Sequence, residues 1–150
     1  MKRIRKIIRC IGLLSFAHFI ESAYSIQEHK NLKLRVAVIG KNLSEVKSAL
    51  DEGADRDTFN SCGFTPLLVA ARDNSPDIAS LLIAEKATVD FQGRNKMTAL
   101  HIAALYRSLD VVKVLLGAGA DRSMKDIAQK KAVDYAFEKN ALEIAFLLDK

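Results

Sequence analysis

A seven-residue motif returns every 33 residues along this chain of 150 residues. It occupies Thr65–Ala71, returns as Thr98–Ala104, and is present in a weaker form at Lys131–Phe137. A constant interval of this length is the signature of stacked structural units, in which each unit packs mainly against its neighbours. Such a stack presents an extended surface and rarely builds a catalytic pocket. The repeat therefore directs the functional question to a binding partner before a chemical reaction.

A second set of apolar residues repeats at the same interval downstream of each motif. The set consists of Ile78, Leu81 and Leu82, then Val111, Val114 and Leu115, then Ile144, Leu147 and Leu148. Each trio has i, i+3, i+4 spacing, which places its members on one stripe of a helix. Asp77, Asp110 and Glu143 precede the stripes, where acidic residues suit the first helical turn. Each unit is therefore predicted to hold a short helix at the motif and a longer second helix.

Turn-forming residues separate the predicted helices. Thr65 and Thr98 can cap the short helix through their hydroxyl groups, and Pro66 suits a first helical turn. Asn74 and Asn140 fall between the two helices of a unit, where asparagine tolerates a positive φ angle. These signals predict a helix-turn-helix unit with a loop leading to the next copy.

The motif, its interval and its turns together resemble the ankyrin repeat. Most of the resemblance is carried by Thr65-Pro66-Leu67 with Ala70-Ala71, Thr98 with Leu100-His101 and Ala103-Ala104, and Gly119-Ala120-Asp121. The resemblance covers about residues 30–150. It implies an all-α ankyrin-repeat solenoid of four stacked helix-turn-helix units with hairpin-like connecting loops. The units are expected near residues 30–59, 60–92, 93–125 and 126–150.

The outer copies differ from the inner ones. Glu45 and Ser48 of the first copy stand where the second copy has apolar residues, and Asp149 of the last copy stands where the third has Leu116. Polar residues at these outer positions are typical of terminal capping repeats. We therefore expect the four repeats to form a complete stack.

The fourth copy departs from the family pattern in its loop and short helix. Lys131 and Ala132 replace the Thr-Pro pair, and Asp134 replaces the histidine of the family motif. Gln129 stands at the turn position that Gly63 holds in the second copy. The apolar stripe of the second helix is kept. The sequence therefore predicts a fourth unit and leaves the geometry of its hairpin open.

Residues 1–25 have the layout of a secretory signal peptide. Met1–Arg9 is basic, Cys10–Ile20 is mostly apolar, and small residues follow. The apolar stretch is shorter than the roughly 20 residues of a membrane span. We therefore expect an exported protein, periplasmic or secreted, whose ankyrin-repeat domain is residues 26–150 and whose mature form has no stable membrane span.

Two alternatives exist for the same segment. Several apolar residues have helical spacing and also predict an amphipathic helix packed on the first repeat, namely Ile4, Ile7, Ile8, Ile11 and Leu14. An arginine-rich start is likewise found in organellar transit peptides. If the basic segment were retained, it could associate with a membrane and make the repeats an adaptor. The alternative location is then the cytoplasm.

The positive charge is concentrated at the N-terminus. The formal net charge is +5, and residues 1–25 contain five basic residues against Glu21 alone. The rest of the chain is therefore nearly neutral overall. A nearly neutral body lacks the basic stripe that duplex binding requires, so we expect no nucleic-acid partner.

His101 is the most prominent candidate for chemistry. No second metal ligand has suitable spacing around it, and the chain contains neither a nucleophile elbow nor a glycine-rich phosphate loop. In the ankyrin motif this histidine is structural and bonds the short helix to the loop backbone. We therefore expect no enzyme and no cofactor. An enzyme or metal protein that uses His101 is the alternative.

The ankyrin resemblance implies a protein-binding surface on the concave face, made by the hairpin tips and the outward positions of the short helices. Motif alignment places on it Phe59, Arg72, Asp73, Phe91, Gln92, Ile102, Leu105, Tyr106, Met124 and Tyr135. Exposed aromatic residues often act as binding anchors. Packing of these rings against neighbouring loops is the alternative. We expect a monomeric, non-enzymatic module that binds one partner protein, whose identity the sequence does not give.

Overall fold

The computed structural model describes the backbone of residues 2–150 and the side chains of residues 20–150. The helices are α1 (Lys2–Ile39), α2 (Leu43–Asp51), α3 (Pro66–Arg72), α4 (Pro76–Ala84), α5 (Ala99–Leu105), α6 (Leu109–Gly117), α7 (Ala132–Glu138) and α8 (Leu142–Leu148). One turn of 3-10 helix lies at Arg94–Lys96, and the described residues contain no strand. The last turns of α1 serve as the short helix of the first repeat. Four helix pairs follow one another, so the predicted all-α solenoid is confirmed.

Successive pairs bury the repeated apolar stripe. Short helices pack on short helices, from α1 through α3 and α5 to α7, and α2, α4, α6 and α8 follow the same order. Ile78, Val111 and Ile144 are all buried and belong to one continuous core. Burying a side chain of this size stabilises the fold by about 1.5–3 kcal/mol. Equivalent residues of the apolar stripe are therefore buried in the same core in each repeat, as their spacing predicts.

The helix-turn-helix junctions use left-handed backbone at the expected places. Asn74 and Asn140 have φ angles of 47° and 52°. In the hairpin loops Gly63 has a φ of 77°, and Lys96 and Gln129 adopt 58° and 61° at the equivalent positions. A left-handed conformation costs a residue with a side chain roughly 1–2 kcal/mol. The hairpin loop of the fourth repeat thus keeps the left-handed turn of the second repeat's loop, although its sequence lacks the glycine.

Three hairpin loops contact one another in series and form what we call the hairpin ridge, residues 60–64, 93–97 and 126–130. The backbone of Gly93 passes so close to the first loop that a Cβ atom there would lie 2.7 Å from the carbonyl oxygen of Gly63. Between the second and third loops, the N–H of Ile127 donates to the carbonyl of Asn95 at 2.9 Å. The ridge is therefore continuous across three repeats.

The N-terminal segment is only partly described. The predicted boundary between residues 25 and 26 falls inside α1. The apolar side chains predicted to pack as an amphipathic helix, Ile4 to Leu14, lie outside the residues whose side chains the structure describes. Over the described residues, none of the helices combines the length and the apolar character that crossing a membrane requires.

Gly93→Ala should destabilise the protein by about 1–3 kcal/mol, because the new methyl group meets a backbone oxygen that cannot move without shifting the neighbouring loop. Gly117→Ala is the matched control. A Cβ atom there has nothing within 4 Å, and alanine in a helix is more favourable than glycine by roughly 0.8–1.0 kcal/mol. Urea unfolding of both variants measures the two changes, and equal effects at the two glycines would contradict the loop contact.

Candidate functional site

The short helices and the hairpin ridge together build one face of the stack, which we call the short-helix face. Three rows of equivalent positions run across it from the first repeat to the fourth. The inner row is Val36, Val69, Ile102 and Tyr135. The middle row is Ile39, Arg72, Leu105 and Glu138, and the outer row is Gly40, Asp73, Tyr106 and Lys139. The burial of these positions decides which of them a partner could touch.

The inner row is closed in the middle repeats and open in the first. Ile102 is only 3% exposed, and Val69 is buried beside it in the same apolar core. The prediction that Ile102 lies on the contact surface is therefore wrong, because its side chain packs inward. Val36, at the equivalent position in the first repeat, is 57% exposed.

The predicted loop residues divide into packing and exposed positions. Phe91 is half-buried against the core and Met124 is half-buried as well. Phe59, which directly precedes the first hairpin loop, is exposed. Gln92 is also exposed, and its amide donates to the carbonyl of Lys96 at 3.3 Å. Of these four, only Phe59 and Gln92 are exposed.

Arg72 and Asp73 form a two-point ion pair on the face. The Nε of Arg72 donates to one carboxylate oxygen of Asp73 at 2.7 Å, and its terminal nitrogen donates to the other at 3.0 Å. The hydrogen bonds from Arg72 lower the pKa of the Asp73 carboxyl below its ordinary value. Next to the pair, Leu105 is half-buried and Tyr106 is exposed. The pair thus supplies a fixed polar spot beside an exposed ring.

An apolar groove opens at the N-terminal end of the face. Leu32, Val36 and Ile39 of α1 line one side and are 50%, 57% and 58% exposed. The groove has a volume of about 130 Å³. Phe64, Pro66 and Val69 of the second repeat also line it, as do Arg35, Val38 and Asn60. Sequence reasoning missed it, because the first copy of the motif is divergent. Aligning Val36 with Val69 and Ile39 with Arg72 would have placed both residues on this face.

Tyr135 is held by a buried carboxylate. Its hydroxyl donates to Asp126, which is only 2% exposed and also accepts the N–H groups of Ala128 at 2.8 Å and Lys130 at 3.0 Å. Burial opposes ionisation of Asp126, but these hydrogen bonds outweigh it and lower the pKa of its carboxyl. The same bond to Asp126 raises the pKa of Tyr135 to about 12. The hydroxyl of Tyr135 is therefore occupied in holding the loop at residues 126–130 and is not available to a partner.

The first loop is closed by the same arrangement with a different residue. Asn60 stands at the position of Asp126, and its side-chain oxygen accepts the N–H groups of Cys62 at 2.9 Å and Phe64 at 3.1 Å. In both loops a short side chain satisfies two backbone donors of a tight turn, as Asn and Asp commonly do. Asp126 is thus a structural residue whose role the turn chemistry explains.

His101 is buried and both of its ring nitrogens are engaged. Nδ1 accepts the N–H of Thr98 at 3.2 Å and lies 2.8 Å from the Thr98 hydroxyl, and Nε2 lies 3.1 Å from the carbonyl of Lys130. These partners assign the proton to Nε2, which donates to the carbonyl. The predicted structural role, joining the short helix to the next loop, is confirmed. In the last repeat Asp134 stands at the equivalent position and replaces one of these contacts: it accepts the N–H of Lys131 at 2.7 Å.

The described residues contain no cluster of three His, Cys, Asp or Glu side chains that could hold a metal ion. What the short-helix face does offer is an apolar groove, an exposed tyrosine and a fixed ion pair.

Comparison with known proteins agrees with this arrangement. Residues 34–126 match the family of ankyrin repeats (three copies). The chain belongs to the ankyrin-repeat family. Ankyrin repeats generally mediate protein–protein interaction. The match ends at residue 126, and the structure adds a fourth ankyrin-type helix pair, α7 and α8, beyond it.

The ankyrin repeats of this chain are similar to parts of much longer proteins. Alpha-latrotoxin-Lg1a of Latrodectus geometricus is 35% identical over 103 residues, which is 67% of this chain and 8% of the toxin. A transient receptor potential cation channel subfamily A member 1 homolog of Caenorhabditis elegans is 30% identical over 118 residues, 79% of this chain and 10% of the channel. SH3 and multiple ankyrin repeat domains protein 2 of Homo sapiens is 37% identical over 99 residues, covering 64% of this chain and 5% of that protein. The chain therefore spans a tenth or less of these relatives.

His101→Ala should lower the free energy of unfolding by about 2–4 kcal/mol, because it opens a cavity, leaves the buried N–H of Thr98 without its acceptor and removes the link to the Lys130 carbonyl. His29→Ala, at an exposed histidine of α1, is the matched control and should change stability by less than about 0.5 kcal/mol. Chemical unfolding measures both. A stable His101→Ala protein would contradict the bridging role.

Tyr135 should ionise at a higher pH than an ordinary tyrosine. Because its folded pKa is raised above the ordinary value of about 10, the hydrogen bond to Asp126 stabilises the fold below that pH. The contribution is then lost as the pH rises towards about 12. Phenolate absorbance during an alkaline titration should show a late component that Tyr135→Phe removes and Asp126→Asn shifts to lower pH. Tyr106→Phe is the control and should leave that component in place; absence of a late component in the parent protein would contradict the assignment.

Proposed function

We propose that this chain is a non-enzymatic binding module that holds a partner protein on its short-helix face. The observation that carries the proposal is the apolar groove of the first two repeats, where Leu32, Val36 and Ile39 are each at least half exposed. Adjacent exposed apolar side chains on a folded domain are characteristic of interaction sites. A partner that inserts an apolar side chain here would bury surface that the stack itself leaves in water.

The rest of the face supports the same use. Tyr106 and Phe59 are exposed aromatic residues, the type that most often anchors protein interfaces. The Arg72–Asp73 pair lies in the same outer and middle rows as Tyr106 and Leu105, and can orient polar groups of a partner. The proposed mechanism is docking of complementary shapes, with the groove as the apolar anchor and these residues around it.

The buried polar groups favour binding over catalysis. His101 and Asp126 are the buried titratable residues nearest the face, and each is fully occupied with loop backbone or with Tyr135. A general base or nucleophile needs a free atom that can reach a substrate. The engagement of these atoms supports a structural role for both residues, and with it a non-enzymatic module without a cofactor.

The proposal includes a location outside the cytosol. Residues 1–25 have the layout of a signal peptide, and their removal would leave the repeats as the exported body. Mass spectrometry of the protein purified from its native source would find the mature N-terminus near residue 24 or 26. An intact Met1 start would instead favour a cytoplasmic adaptor whose basic segment associates with membranes.

Replacing Val36 and Ile39 together by serine should weaken capture of a partner protein by about tenfold or more, because two apolar contacts at the groove are lost. The circular dichroism spectrum should not change, since both side chains are more than half exposed.

The matched control for the groove variant is Leu142→Ser with Phe146→Ser. These two side chains are each 65% exposed on α8, the second helix of the last repeat, away from the short-helix face. Capture should survive this change. Equal loss in the two double variants would mean that the protein binds through general apolar surface, and unchanged capture in the groove variant would remove the groove from the site.

A further inference from the structure

Positive charge is concentrated in the last two loops of the hairpin ridge and in the two residues that flank the last loop. Residues 93–97 and 125–131 contain Arg94, Lys96, Lys125, Lys130 and Lys131, against Asp126 alone. The repeat domain is nearly neutral as a whole, so the remainder of it is acidic overall. Near-neutrality in the sequence therefore conceals a segregation of charge, with cations gathered at the tips of the third and fourth repeats.

The fold brings these cations together from separate parts of the sequence. The hydrogen bond from the Ile127 N–H to the Asn95 carbonyl joins the tips of the two loops. Arg94 and Lys96 flank Asn95 within one loop. In the other loop the N–H of Asp126 donates to the carbonyl of Lys130 at 3.0 Å. This bond draws together the two ends of the loop, which Lys125 and Lys131 flank in the sequence.

Four of these cations have no ionic partner within the described part of the chain. Lys130 pairs with Glu138, whereas Arg94, Lys96, Lys125 and Lys131 are exposed and take part in no ion pair there. The charge of Asp126 is turned inward by its three hydrogen bonds. The exposed side chain of Ile127 stands at the junction of the two loops. The ridge thus offers free positive charge around one apolar contact.

We propose that this cationic ridge, defined by Arg94, Lys96, Lys125 and Lys131, binds an acidic segment of the partner protein, rich in Asp and Glu and carrying an apolar residue opposite Ile127. The inference rests on the proposed protein-binding function and specifies the chemistry of the partner. Charge complementarity is the argument for an acidic occupant. A cluster of free cations raises the association rate of an acidic partner and favours it over neutral or basic ones.

Two features favour a protein segment over a phosphate backbone. The exposed Ile127 needs an apolar complement, which a side chain of a protein segment supplies. The patch is also confined to two adjacent loops, whereas duplex binding uses an extended basic stripe.

Fluorescence anisotropy with a short fluorescein-labelled peptide of glutamates interrupted by leucine tests the proposal on the full chain. The variant carrying Arg94→Gln, Lys96→Gln, Lys125→Gln and Lys131→Gln should bind about tenfold or more weakly, since several exposed pairs are lost together. Added salt should reduce the difference between variant and parent, because exposed charge pairs are screened. The same peptide with glutamine in place of glutamate should bind weakly to both proteins.

The control variant carries Lys47→Gln, Lys86→Gln, Arg107→Gln and Lys150→Gln, which removes the same charge from exposed sites outside the ridge. It should bind the peptide as the parent does. Equal weakening in the two variants would overturn the proposal, because net charge alone would then explain binding. Absence of peptide binding to the parent would also overturn it.

Tighter, ridge-dependent binding to a duplex oligonucleotide or to phosphatidylserine vesicles would overturn the choice of a protein segment. The groove variant provides the separation from the proposed function. If Val36→Ser with Ile39→Ser loses partner capture while the ridge variant keeps it, the chain binds a protein and the acidic segment is not part of the recognition.

Discussion

Burial of one apolar stripe between neighbouring repeats is the interaction on which the rest of the structure depends. The short helices have seven residues each, well below the length at which an isolated helix is stable in water. Each pair therefore folds only because the next one covers it, and residues such as Val111 and Leu115 are fully buried for this reason. Exposed positions such as Tyr106 and Ile127 lie outside this stripe and take no part in the packing between repeats.

The loops show one physical requirement met by several residue types. A tight turn leaves backbone N–H groups that need acceptors, and Asn60 and Asp126 supply them in the first and last loops. His101 accepts the N-cap N–H of its own helix and bridges to the next loop, and Asp134 at the equivalent site uses a carboxylate for the first of these two bonds. The fourth unit therefore keeps the fold although its motif is barely recognisable, because the requirement concerns donors and acceptors rather than residue identity.

The order and type of the helices could be predicted because they follow from the spacing of apolar residues along the sequence. Exposure on the short-helix face could not, since it depends on which neighbouring loop covers a side chain. Ile102 and Val36 are equivalent by alignment, yet the first is buried in the core and the second opens onto a groove. Motif alignment likewise places Tyr135 on the concave face, and only the fold brings Asp126 within reach of its hydroxyl.

The charge of the molecule illustrates the same limit in electrostatic terms. A net charge is a sum over the chain, and the field that a partner meets is set by the groups within about a Debye length, roughly 8–10 Å at physiological ionic strength. Lys96 and Lys131 are far apart in sequence and lie on loops joined by a single backbone hydrogen bond. Composition therefore rules out a protein that is basic throughout, but it cannot rule out a local cationic surface. The stacking that buries the apolar stripe also aligns the loops, so the same repeat that stabilises the fold brings charged residues that are distant in the sequence onto one surface.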